Sequence, residues 1–306
     1  MLLIVGCGDI GLRVARLLRP RWRVLALTSS PSRRGELRAA GITPLVGDLD
    51  RPSTLGRLAG LADAVLHLAP PASTGATDRR TAHLLAALAR SPWSGRIVYA
   101  STSGVYGDAG GARVDETRGL RPASARAGRR VDAEQRLRHF GRAAGATVTI
   151  LRVPGIYALD RPGGDPRQRV LRAQPVLLAE DDVYTSHIHA DDLARACAAA
   201  LHRGRPQRVL NAVDDTELRM GDYFDFVADR FGLARPPRVS RAAAREQLSP
   251  MQMSFLEESR RLVNERLKGE LRLRLRYPTV ADGLQATSCA QGQSAAVAGS
   301  ASAATP

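Results

Sequence analysis

Three glycines near the N-terminus are spaced to bring a main chain against a phosphate. Gly6-Cys7-Gly8-Asp9-Ile10-Gly11 follows the apolar run Leu2–Val5 and leads into a helical pattern. In such a run the first glycine allows a tight turn, the second lets the backbone approach a pyrophosphate, and the third lets the helix pack close to the strand. The helix start at Asp9 and Ile10 then presents free N–H groups and a positive dipole end to the anion. This is dinucleotide-binding chemistry; the competing reading is a glycine turn that holds no ligand. An acidic residue about 20 positions on would take the adenosine ribose hydroxyls of NAD. The chain instead offers Thr28-Ser29-Ser30 and then Arg33-Arg34, with no carboxylate before Glu36. The hydroxyl of Ser29 and the guanidinium of Arg33 suit a 2′-phosphate, with Arg13 as a further candidate. The cofactor expected is therefore NAD(P), with NADP preferred, although arginines here also fit a solvated helix face.

The elements that would hold this loop alternate along the first half of the chain. Apolar, β-branched runs fall at Leu2–Val5, Arg23–Leu27, Thr43–Val46, Ala64–Leu68, Arg96–Tyr99 and Thr147–Leu151. Helical patterns at Ile10–Leu18, Ser32–Ala40, Ala76–Arg90 and Ala127–Ala144 separate them. Strands alternating with helices predict βαβ units, hence an α/β Rossmann fold built on a doubly wound parallel sheet. After Leu151 the rhythm breaks into a Pro-, Gly- and Asp-rich stretch over 154–182 that reads as loop. Strand and helix patterns resume at Tyr184–Ile188, Asp191–Leu201, Val209–Val213, Asp222–Phe231 and Ser254–Leu267. The expected organisation is a dinucleotide-binding core over 1–153, rejoined by 184–213. A small substrate-facing lobe comes from 154–183 and 214–282, and a disordered tail of small and polar residues runs over 283–306.

Composition narrows the class. The 306 residues, 44% of them hydrophobic, can bury a full core, and no run approaches the ~18 apolar residues of a membrane helix. The run Leu2–Val5 is too short for a signal-peptide core, so a cytoplasmic protein is expected. Cys7, Cys197 and Cys289 are odd in number and have no CxxC spacing, which suggests neither a disulfide framework nor a metal site. The net charge is +15, carried by arginine, with Lys268 the only lysine. Those arginines are spread along the chain rather than gathered in one stripe, so nucleic acid is not an expected partner and charge alone suggests RNA. The expected state is a monomer or homodimer that meets a small-molecule substrate.

Several motifs, taken in order, resemble the extended short-chain dehydrogenase/reductases, the NAD-dependent epimerase/dehydratase group. Gly47-Asp48-Leu49 resembles the family's adenine-contacting aspartate, and His67-Leu68-Ala69 its "HLA" turn beside the cofactor. Ser101-Thr102-Ser103-Gly104-Val105-Tyr106-Gly107 resembles the "SSxxxYG" signature. Leu151 to Tyr157 resembles "LRxxxxYG", His187 to Asp192 resembles "hVdDvA", and Asn264 to Leu267 resembles the C-terminal "NerLk" element. Over residues 1–282 the resemblance implies that Asp48, Leu49, Leu68 and Ala69 border the cofactor. It implies that Thr102 is the family's catalytic hydroxyl, which could equally cap the next turn. Tyr106 would line the substrate. His189 with Asp191 reads as a structural pair rather than an acid–base couple.

One departure separates the chain from that pattern. The family's YxxxK tyrosine and lysine fall, when aligned on Glu134, at Arg126 and Arg130. A guanidinium with a pKa above about 12 cannot trade protons near neutrality. Arg130 is implied to bind the nicotinamide ribose, whereas Arg126 cannot replace the tyrosine. The combination resembles the YeeZ-like branch, which keeps the strand-end motif without YxxxK. The loop Tyr157-Ala158-Leu159-Asp160-Arg161 also departs from the family's "YGPGR". Two functional readings stand: an oxidoreductase or epimerase/dehydratase acting on a small, sugar-nucleotide-like substrate, and a dinucleotide-binding regulatory or scaffold protein without turnover.

Overall fold

The computed structural model describes residues 1–285. Its first half runs β1 (Leu2–Val5), α1 (Asp9–Leu18), β2 (Val24–Thr28), α2 (Arg34–Ala39), β3 (Thr43–Val46), β4 (Ala64–His67), α3 (Arg79–Leu88), β5 (Arg96–Thr102), β6 (Arg113–Val114), α4 (Ala125–Ala144) and β7 (Thr147–Val153). Then come β8 (Gly155–Tyr157), α5 (Arg167–Leu171), β9 (Val176–Leu177), β10 (Tyr184–Thr185), β11 (His187–His189), α6 (Ala190–Arg203) and β12 (Arg208–Asn211). The chain continues through β13 (Leu218–Arg219), α7 (Met220–Arg230), β14 (Arg238–Val239), α8 (Arg241–Gln247), α9 (Pro250–Leu256), β15 (Arg261–Leu262), α10 (Glu265–Glu270) and α11 (Val280–Gln285).

Seven strands pair in the order β12-β7-β5-β4-β1-β2-β3, every neighbouring pair parallel. The chain winds one way from β1 to β3 and the other way from β4 onward. The strand order therefore reverses between β1 and β4, where a crevice opens at the carboxyl ends. Leu2, Leu3 and Ile4 of the central strand are fully buried because both sheet faces are covered. One face packs Ile4, Ala26 and Leu66 against Val14 of α1 and Cys197 of α6; the other packs Leu3, Val65 and Ile97 against Leu84 of α3 and Leu137 of α4. Local chemistry sets the helix ends. Asp78 caps α3 by accepting from the Thr81 N–H, Ser124 caps α4 by accepting from Ala127, and Gly145 ends α4 in the left-handed region.

A separate apolar cluster gathers Val170, Val176, Tyr223, Phe224 and Leu256 beside Tyr157. Three expectations are corrected here. The stretch 154–182 is not plain loop, since β8 pairs in parallel with β11 and β9 with β14. The helix expected over Ser254–Leu267 is broken between α9 and α10, because Arg261 and Leu262 pair with Arg113 and Val114 and the Ser259 N–H donates to Asp108; these non-local partners outweigh helical propensity. The tail expected from 283 begins too early. Val280 and Leu284 of α11 are buried in the same cluster as Tyr157. The rest of that expected tail, with Cys289, lies outside the described residues.

Candidate functional site

The glycine loop sits at the crevice between β1 and β4. Gly6 has φ +86°, and a Cβ there would lie 2.5 Å from the backbone nitrogen of Ala69. The turn after β1 is thus pressed against the turn after β4, whose Leu68 and Ala69 N–H groups donate to the Val5 carbonyl at 2.8 and 3.0 Å. Gly11 is close-packed as well, a Cβ there meeting Cys7 Sγ at 3.1 Å and Ile4 at 3.3 Å. Gly8 differs: a Cβ there would meet nothing within 4 Å, because it faces a pocket. That pocket, of about 270 Å³, is lined by Gly6, Gly8, Asp9, Ile10, Gly11 and Leu68 on one side, and by Ser101, Thr102, Arg126, Arg130 and Arg161 on the other. An open main chain at Gly8, next to the start of a 10-residue helix, fits a pyrophosphate. Asp9 does not oppose this, since Arg13 Nε at 3.0 Å and Arg161 Nε at 3.2 Å offset its charge.

Beyond β2 and β3 the expected adenosine-side residues lie outside that lining. Ser29 is exposed, and Arg33 follows it in the turn before α2. The Arg33 Nη1 donates to the Cys7 carbonyl at 2.9 Å, and Nε and Nη2 grip Glu36 at 3.0 and 2.8 Å. Arg33 therefore clasps the glycine loop from the side of β2. Asp48 is partly exposed past the end of β3 and accepts from the Asp50 N–H, while Leu49 is buried in the core and its carbonyl is bonded by His83. Ala69, buried behind Gly6, likewise reaches the crevice only through its backbone. Arg13 departs from the role expected of it. It is 7% exposed and bonded to Asp9, Asp160 and Asp191, the last two at 2.7 and 2.5 Å, so no face is left for a 2′-phosphate.

At the other end of the pocket, Thr102 closes β5. Its Oγ1 accepts from the Gly104 N–H at 3.3 Å, capping the short turn Ser103–Tyr106, and it also lines the pocket. Because the oxygen accepts in that cap, the hydroxyl hydrogen remains free to donate to a ligand. Tyr106 departs from the substrate-lining role: it is fully buried, its hydroxyl donates to Asn211 Oδ1 at 2.7 Å, and the Arg152 guanidinium stacks 4.7 Å from its ring. Burial pushes the Tyr106 phenol above its usual range, making it a weaker acid, and its side chain does not line this pocket.

Arg126 and Arg130 line the pocket one turn apart on α4. Arg130 is 9% exposed; its Nη1 donates to Tyr99 Oη at 2.9 Å and to the Ala100 carbonyl at 2.8 Å, while its Nε has no partner. Arg126 has no hydrogen-bond or ion-pair partner among the described residues. Arg126 is exposed to water along part of its length, yet desolvation by the protein atoms packed around it, and then the charge of Arg130, lowers its pKa from the free value. Glu134, one turn beyond Arg130, is taken up by Arg152 and Ser101 instead.

A larger cleft of about 800 Å³ continues from Thr102 and Arg126 past Ile156 and Arg161 to Arg169, His187, Phe224, Phe255 and Arg260. His187 is stacked on Tyr223 at 4.0 Å, and burial lowers its pKa to about 3, so its imidazole is neutral. His189 is confirmed as structural by geometry, its Nδ1 accepting from the Asp191 N–H at 3.2 Å to cap α6. Arg161, Arg169 and Arg260 were not picked out by spacing. Only Arg161 carried a signal, its place at the end of the loop that follows Tyr157. No helix among the described residues is long and apolar enough to cross a membrane.

The model of the NAD dependent epimerase/dehydratase family matches residues 2–212. No curated protein matches the chain. Among solved structures, a conserved protein of unknown function from Silicibacter pomeroyi is 32% identical, with a TM-score of 0.79, covering 94% of this chain and 98% of that one. A dTDP-glucose 4,6-dehydratase from Streptomyces venezuelae, solved with NAD bound, is 23% identical with a TM-score of 0.74, covering 93% and 94%. A UDP-glucose 4-epimerase from Thermotoga maritima is 19% identical with a TM-score of 0.76, covering 96% and 99%. The last two establish a shared fold.

Proposed function

The chain belongs to the NAD dependent epimerase/dehydratase family, and from that premise we propose that it binds NAD(P) across the β1–β4 crevice and acts as an oxidoreductase on a small substrate in the adjoining cleft. The observation that carries this reading is Gly8, whose missing side chain leaves the main chain bare to a pocket at a helix start. Gly6, Gly8, Asp9, Ile10 and Gly11 would hold the pyrophosphate. Ser29, Arg33, Asp48 and Leu49 would border the adenosine, with NADP preferred through Arg33. Leu68, Ala69 and Arg130 would border the nicotinamide end. The cofactor supplies hydride transfer when bound. Thr102 orients a substrate oxygen with its free hydroxyl hydrogen. Proton transfer must come from water or the substrate itself, since neither arginine at the dyad positions can supply it. That missing donor is also what favours the second reading, a dinucleotide-binding protein without turnover.

Calorimetric titration with NADP tests the proposal. Gly8→Val is expected to abolish binding with the melting temperature unchanged, because the added side chain enters only the pocket. Gly6→Val is expected to lower stability as well, through the clash with Ala69. Unchanged NADP affinity in a folded Gly8→Val protein would overturn the reading.

A further inference from the structure

We propose that Arg126 and Arg130 form a binding site for a carboxylate on the substrate, where the cleft meets the cofactor pocket. This rests on the reading of that pocket as the dinucleotide site. Both side chains line it, four residues apart on one face of a 20-residue helix. Arg130 is nine-tenths buried yet finds no carboxylate among the described residues. Its Nη1 is spent on Tyr99 and Ala100, and its buried Nε is unpartnered. A guanidinium held by one nitrogen keeps its Nε edge for a planar, two-oxygen acceptor.

The helix start argues the same way. The first two turns of α4 carry Arg126, Arg129 and Arg130 with no acidic residue in the first turn. Cations are disfavoured at the positive end of a helix dipole, and like charges four apart repel. Arg129 donates to the Gly75 carbonyl and meets no acid either. Desolvation of the Arg126 guanidinium, and after it the charge of Arg130, lowers its pKa, so repulsion between the two arginines is part of that shift. Elsewhere the molecule pairs its buried arginines, as Arg13 with three aspartates and Arg152 with Glu134. An anion between Arg126 and Arg130 would relieve the repulsion and satisfy Nε. Thr102, which lines the cofactor pocket with both arginines and the larger cleft with Arg126, would reach the atom next to the carboxylate.

The test is calorimetric titration of the full chain with oxalate and, separately, inorganic phosphate at low ionic strength, each with and without saturating NADPH. Wild type is expected to bind oxalate more tightly than phosphate in the presence of NADPH. Arg126→Gln should weaken oxalate roughly 10- to 100-fold, as loss of a charge-assisted pair does, and Arg126→Lys should restore part of it. Arg130→Gln should do the same where it folds; Arg126 is exposed, so its variants carry the test if Arg130→Gln does not. Oxalate affinity unchanged in Arg126→Gln would overturn the proposal. So would phosphate binding more tightly than oxalate, or oxalate being expelled by NADPH, which would give the arginines to the cofactor. Absence of NADPH binding with Arg126-dependent oxalate binding retained would instead overturn the dinucleotide reading and leave the anion site standing.

Discussion

Arg152 and Glu134 meet side by side in the core, Nε and Nη2 of the one lying 3.1 and 2.7 Å from the two carboxylate oxygens of the other. Both side chains are 3% exposed, and Ser101 adds a third hydrogen bond to Glu134 at 2.6 Å. The pair joins α4 to β5 and β7 directly behind the pocket wall, so the position of Arg126 and Arg130 depends on it.

Glu134→Ala should therefore cost about 3–5 kcal/mol in urea unfolding, because it strands a buried guanidinium. Replacing both partners, as Glu134→Leu with Arg152→Met, should recover most of that loss. A double variant as unstable as Glu134→Ala would mean the pair contributes through packing rather than charge compensation.

Restoring the family dyad should expose what the site has kept. Arg126→Tyr with Arg130→Lys supplies a proton donor and a cation, and NADPH oxidation over a panel of carbonyl compounds should rise by roughly 10²–10⁴-fold from a weak wild-type rate. Residual wild-type turnover should fall in Thr102→Ala. Robust wild-type turnover untouched by Thr102→Ala would place the chemistry elsewhere.

If the proposed NADP preference holds, it should turn on Arg33 and Glu36. With Arg33 against the glycine loop, NADP should bind more tightly than NAD by about 1–3 kcal/mol. Arg33→Ala should narrow that gap. Glu36→Gln should widen it, since Glu36 now occupies two of the guanidinium's donors. Titrations with both cofactors decide the matter, and equal affinities in the wild type would count against the preference.

Two buried histidines set a pH limit. Burial, joined at His67 by the charge of Arg130, lowers His67 to about 3, and burial alone lowers His187 to about 3. Their unfolded values lie near 6.5, so the folded forms bind fewer protons. The stability they contribute is complete above about pH 6.5 and is lost as pH falls toward 3, by up to about 1.4 kcal/mol per pH unit for each. His67 Nε2 lies 2.9 Å from the Thr81 hydroxyl, which itself donates to Asp78, so Nε2 carries the proton. His67→Gln can keep that donation without titrating. Melting curves from pH 7 to 4 should show a shallower decline in this variant, and an identical slope would refute the assignment.

The sheet and the glycine loop were legible because both are written in local spacing: two-residue and 3.6-residue periods, and glycines whose neighbours lie within a few positions. Arg130 and Thr102 were reachable by register from Glu134 and from the end of β5. Arg13 was misassigned because its partners Asp160 and Asp191 lie 147 and 178 positions away. Tyr106 was misassigned because the short turn after Thr102 aims its side chain at Asn211, 105 positions on, rather than outward. Ser254–Leu267 failed for the same reason, its break being imposed by pairing with Arg113 and Val114. The arginines of the wider cleft come from four separate segments, and no spacing rule links them.

The packing of α1 against α6 governs how the chain can be made. Five of the seven sheet strands have been synthesised once Thr102 is reached, yet α6, which packs on β4 and β5, ends only at Arg203. At cellular elongation rates the intervening hundred or so residues take roughly 5–20 s. For that interval the nascent sheet presents bare apolar strands, and Arg13 has only Asp9 for company until Asp160 and Asp191 emerge. Folding is thus gated by a late helix returning to the earliest one, and chains halted before Arg203 would be targets for chaperones or aggregation.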